Sequence, residues 1–103
     1  MVARHDGGPI GHAILVPDGE SASELAIFVL REYQGAGIGT ELIERLLGAG
    51  REEGIERVWL TVERWNSPAI ALYRKVGFVS TDNGNFELEM AARLIGSDDD
   101  GSG

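Results

Sequence analysis

Apolar positions change their spacing along this chain, and the changes divide it into elements. In residues 1–30, short apolar runs are cut by turn signals. Residues 1–5 are followed by Asp6-Gly7-Gly8, and 11–16 (GHAILV) by Pro17-Asp18-Gly19; 24–30 (ELAIFVL) is the most apolar run. That rhythm predicts three strands of an antiparallel meander. Beyond it, Ile38, Leu42, Ile43, Leu46 and Leu47 recur at three- and four-residue spacing, which predicts an amphipathic helix over 37–53 with Gly54 as its left-handed stop. Glu41 and Glu44 suit the positive end of that helix. Gly48 and Gly50 each cost it about 1 kcal/mol relative to Ala, so either a close neighbour needs their small size or the helix ends early. Residues 57–63 (RVWLTVE) read as a buried strand, rich in β-branched and aromatic residues. Ser67 as N-cap and Pro68 at the first helical position open a second helix over 68–76, which buries Ile70, Leu72, Tyr73 and Val76 and stops at Gly77. Residues 78–81 and 85–91 pair across Asp82-Asn83-Gly84. Strand–helix–strand–helix–strand–strand behind a meander predicts an α/β (α+β) fold with a mixed sheet, occupying 1–94 as one domain. The tail 95–103 is acidic and is expected to be disordered.

Composition narrows the chemistry. An apolar share of 43% and a charged share of 25% are those of an ordinary soluble protein. No apolar run approaches the roughly 18 residues of a membrane span, and no targeting segment opens the chain, so a cytoplasmic protein without a membrane partner is expected. There is no cysteine, which excludes a thiol nucleophile, and His5 and His12 are the only imidazoles, so no metal is expected. The net charge of −8 argues against nucleic acid as a partner. An acidic body suits cationic acceptors such as amines; it also suits simple solubility in a salt-rich cytoplasm or the bias of a GC-rich genome. Lys75 is the sole lysine.

Residues 31–40 read REYQGAGIGT between a predicted strand and a predicted helix. Gly35, Gly37 and Gly39 let backbone N–H groups approach an anion where the helix N-terminus adds positive potential, so phosphate is the natural ligand. A dinucleotide fingerprint needs glycine where Thr40 stands, and no Gly-Lys-Ser/Thr follows, so both common nucleotide loops fail. The segment resembles instead the Q/R-x-x-G-x-G/A pyrophosphate loop of the GNAT N-acetyltransferases, with Gln34, Gly37 and Gly39 in register. Residues 58–79 (VWLTVERWNSPAIALYRKVGFV) resemble the second signature of that family, a strand followed by N-x-x-A-x-x-x-Y and x-K-x-G-F. Asn66, Ala69, Tyr73, Lys75, Gly77 and Phe78 fall in place.

The resemblance implies the GNAT acyltransferase fold, a mostly antiparallel sheet with two main helices, and acetyl-CoA as co-substrate. The loop Gln34, Gly35, Ala36, Gly37, Ile38, Gly39 and Thr40 would hold the pyrophosphate. In the family the strand before this loop splays from its neighbour and pairs with the pantetheine; Ile27, Phe28 and Val29 occupy that place. The Asn66 side chain either contacts the cofactor arm or caps its helix, and Ser67 and Pro68 already offer a cap. Tyr73 holds the position of the general acid, for which a phenol is suited because its pKa of about 10 lies near the thiol's 8.5; the bland reading is an aromatic filling the core. For the base, Glu24, Glu63 and a water-mediated route stay open; Thr61 stands where some protein N-terminal acetyltransferases carry a glutamate.

Family members usually begin with a further strand and two helices that wall the acceptor cleft, and this chain is expected to lack them. An N-acetyltransferase acting on a primary amine of a small molecule or of a protein is the leading expectation. The alternatives are a non-catalytic acyl-CoA-binding or regulatory module, and a fragment completed by a partner. A homodimer covering the uncovered sheet face is expected too. The acceptor itself is not written in these residues.

Overall fold

The computed structural model describes residues 1–95 apart from residues 6, 20 and 36. The expected turn at Asp6, the contribution of Ala36 to the loop, and the tail beyond residue 95 therefore lie outside the described residues. Along the chain run β1 (Val2–His5), β2 (Gly8–Pro17), β3 (Ala22–Val29), α1 (Ile38–Glu52), β4 (Arg57–Glu63), α2 (Ser67–Lys75), β5 (Val79–Asn83) and β6 (Glu87–Arg93). The sequence pattern also misses a short 3₁₀ turn, Arg31–Tyr33, before the glycine loop.

The six strands form one sheet in the order β1-β2-β3-β4-β6-β5. All neighbours are antiparallel except β3 and β4, which are joined in parallel by the crossover through α1. Both helices share one face. A Cβ added at Gly39 of α1 would meet Leu72 of α2 at 3.2 Å, and Leu42, Ile43 and Leu47 of α1 join Ala13, Leu25, Val58, Leu60, Val62, Leu88, Met90 and Phe78 in a single core. The period of two along each strand sends alternate residues to this core. Residues 57–63 are thus buried on one face only: Val58, Leu60 and Val62 face the core while Arg57, Trp59, Thr61 and Glu63 face away. The second helix is also less buried than its pattern predicts. Ile70, Leu72, Tyr73 and Val76 pack against the core but none is fully buried.

Among the described residues no helix covers the opposite face of the sheet. Cross-strand pairs place Val2, His12 and Phe28 there in one row, Ile14 with Ala26 in the next, and Val16, Glu24, Trp59, Ala91 and Val79 in a third. Val2, Ile14, Val16, Phe28 and Val79 are all exposed.

Candidate active site

β3 and β4 begin side by side and then part. Their parallel ladder joins Ala22, Ser23 and Glu24 to Arg57, Val58 and Trp59, and no pair follows. From Leu25 onward β3 has β2 as a neighbour and an open edge on the other side. Leu30 N–H donates to Ile10 C=O at 2.8 Å. By the alternation of an antiparallel ladder, Phe28 and Ala26 are then the residues that bond β2, and the backbone of Ile27 and Val29 points into the gap. Val29 C=O accepts a hydrogen bond from Gln34 Nε2 at 3.0 Å. No described residue bonds the Val29 N–H or the Ile27 peptide groups across the gap. The parity inferred for Ile27 and Val29 is therefore the observed one, and Gln34 closes the end of that edge.

Past Gln34 the chain turns through Gly35 and Gly37, both left-handed at φ +86° and +85°, a conformation that only glycine adopts without strain. A side chain at either would project into open space, so backbone geometry fixes these residues. Gly37 is the N-cap of α1 and offers no side-chain cap. Its carbonyl accepts from Glu41 N–H at 3.0 Å, which leaves the N–H groups of Ile38, Gly39 and Thr40 without intrahelical partners at the positive end of the helix. Gly39 has a different cause: its missing side chain lets α1 approach Leu72.

Across the gap, α2 begins at Asn66. Its Oδ1 accepts from Ala69 N–H at 3.3 Å, so Asn66 is the N-cap, and Ser67 and Pro68 follow it inside the helix. The expectation that Ser67 caps the helix is corrected: Ser67 is already the first helical residue, and the N–H that the cap bonds, that of Ala69, is taken by Asn66 Oδ1. No described residue accepts from the Asn66 amide nitrogen. Tyr73 packs its ring against Phe78, 6.0 Å between centroids at 60°. Burial raises the Tyr73 pKa above the ordinary phenol value, and the charge of Glu63 raises it further. Glu24 lies where β3 and β4 still pair, opposite Trp59.

These pieces enclose one cleft of about 580 Å³. Ile27, Phe28 and Val29 line it from β3, with Gln34, Gly35, Gly37, Gly39 and Thr40 from the loop and Asn66 and Tyr73 from α2. Of the described residues expected to hold the cofactor, Ile38 alone does not line it, its side chain packing against the core, and of the candidate bases neither Glu24 nor Glu63 lines it. Pro68, Ala69, Ala71, Leu72 and Lys75 line the cleft as well. The helical stripe through Pro68, Ala71 and Lys75 could have been drawn from the sequence, since residues three and four apart share a face.

The family model for the acetyltransferase (GNAT) family matches residues 1–78. The chain belongs to the GNAT family. An uncharacterized N-acetyltransferase of Mycobacterium tuberculosis (strain ATCC 25618 / H37Rv) is 34% identical over 89 residues, 85% of this chain and 57% of that protein. The [ribosomal protein bS18]-alanine N-acetyltransferase of Haemophilus influenzae is 38% identical over 73 residues, 71% of this chain and 49% of the relative. Among solved GNAT folds, the PaiA N-acetyltransferase of Thermoplasma acidophilum, in complex with coenzyme A, superposes with a TM-score of 0.83 at 27% identity, covering 89% of this chain and 58% of the other. The chain thus spans about half to three fifths of the length of these relatives. The GNAT fold accounts for the sheet, the two helices and the parting of β3 from β4. Among the described residues no cluster of three or more His, Asp or Glu could hold a metal ion, and no helix is long and apolar enough to cross a membrane.

Proposed function

We propose that this chain is the acetyl-CoA-binding and catalytic unit of an N-acetyltransferase that modifies a primary amine. The observation that carries the reading is the parted edge of β3, which opens onto one cleft with free α1 amides at one side and a protonated phenol at the other. The donors fit the co-substrate. The N–H groups of residues 38–40 suit phosphate oxygens, and the peptide groups of Ile27 and Val29 suit the amides of a pantetheine arm laid along a strand edge. Acetyl-CoA supplies a thioester-activated acetyl group when bound. The chain's own residues do the rest. Tyr73 keeps its proton at Oη through neutral pH and would deliver it to the sulfur as the carbon–sulfur bond breaks, the proton shed by the acylated nitrogen restoring the phenol. A backbone N–H of the open β3 edge steadies the oxyanion. Glu63, whose charge reaches the phenol, is the carboxylate best placed to take a proton from the incoming ammonium. The name of the Haemophilus relative, which specifies an alanine of a ribosomal protein, supports a protein amine as acceptor; a small-molecule amine remains the second class.

Calorimetry with CoA tests the cofactor assignment. Wild type should bind, and Gly37→Val should weaken binding at least tenfold with little change in circular dichroism, since the strained residue stands at the loop itself. Unchanged affinity in that variant removes the loop from the site. A second reading, a CoA-binding module without turnover, is favoured by the bare sheet face beside Phe28. Thiol release from acetyl-CoA with a panel of amines separates the two.

A further inference from the structure

CoA carries phosphate in two places, the pyrophosphate bridge and a monoester on the ribose 3′ carbon. The backbone amides at the start of α1 are uncharged and few, and they suffice for the bridge. The monoester is close to dianionic at neutral pH, with a second pKa of about 6, and it calls for a cation. Lys75 is the one charged residue among those that line the cleft. It is exposed on the last turn of α2, and no described residue forms an ion pair or hydrogen bond with it. An unpaired lysine, the sole lysine of a chain of net charge −8, thus stands at the rim of this one cleft.

Its surroundings suit a ribose phosphate. Ala71 and Pro68 lie one and two turns before Lys75 on the same helical stripe and also line the cleft. Both are small and apolar, leaving the ammonium reachable along a smooth wall. Tyr73, two residues away, points to a different side of α2, so the reacting end and the charged rim do not compete. We infer that Lys75 is a specificity residue that binds the 3′-phosphate of CoA and lets the cleft prefer CoA over 3′-dephospho-CoA. This rests on the cofactor reading above and extends it to a group that the glycine loop does not serve.

Titration of the full chain with CoA and with 3′-dephospho-CoA tests it, using wild type, Lys75→Ala and Lys75→Arg. Wild type should bind CoA about tenfold more tightly than the dephospho form, the worth of a charge-assisted contact at an exposed rim. Lys75→Ala should lose that preference by weakening CoA alone, its unchanged affinity for 3′-dephospho-CoA doubling as a check on folding. Lys75→Arg should keep most of the preference, and added salt should erode it in wild type. Equal affinity of wild type for both ligands, or equal weakening of both in Lys75→Ala, overturns the assignment while the cofactor reading stands. No binding of either ligand by wild type overturns both.

Discussion

Two residues of the cleft do double duty, and each can be pulled apart by one substitution. Tyr73 is at once a core aromatic against Phe78 and a phenol in the cleft. Tyr73→Phe removes only the hydroxyl, so if the proton donor is real, single-turnover acetylation should fall by about 10²–10⁴-fold with the fold and CoA affinity kept. The pH dependence has a definite sign. A general acid works while protonated, and both burial and the Glu63 charge raise the Tyr73 pKa. The alkaline limb of kcat should therefore lie above about pH 10, the unshifted phenol value; a Tyr73-dependent limb between pH 8 and 9 would defeat the assignment. Asn66 caps α2 with its oxygen and has a nitrogen left for a ligand. Asn66→Ser keeps a capping oxygen, so stability should change by less than about 1 kcal/mol while CoA affinity drops. A variant that binds as wild type reduces Asn66 to a cap. The sequence shows both residue types by motif, but it cannot show which atom is already spent. Capping depends on backbone angles at Asn66, where Ser67 and Pro68 are by composition an equally good start.

Among the elements, α1 answers a question that its sequence leaves open. It runs to Glu52 despite Gly48 and Gly50. A Cβ at Gly50 would meet Leu15 at 3.0 Å and Leu94 at 3.4 Å, whereas one at Gly48 would meet nothing. Gly50 is therefore a packing residue and Gly48 a plain helix weakness. Gly48→Ala should raise stability by roughly 0.5–1 kcal/mol, and Gly50→Ala should raise it less or lower it, both readable by thermal denaturation. The helices and strands were legible because each has its own period, and the strand 57–63 matches residue for residue. The end of pairing between β3 and β4 has no such signal. Leu25 to Val29 and Leu60 to Glu63 read as ordinary strand sequence, and nothing in their side chains says that the two should part. The opening follows from the whole sheet and enters the sequence reading only through the family likeness.

The whole molecule is lopsided, with helices and core on one face and a row of exposed apolar residues on the other. Val2, Ile14, Val16, Phe28 and Val79 lie there in the open, a pattern usual for surfaces that meet a partner. We propose a second copy as that partner, because a face that packs on itself serves both chains. Sedimentation at micromolar concentration should report a dimer, and Phe28→Ser with Val16→Ser should shift it to monomer; a monomeric wild type would end the proposal. The parting of the strands has a consequence of another kind, for cooperativity. β4 is tied to β6 by seven residue pairs and to β3 by three, so the sheet is two triplets of strands sewn together at one end. In the empty protein each triplet can open with its own free energy, as separate folding units do. A ligand lying in the gap touches both, and binding only the closed form, it welds them into one.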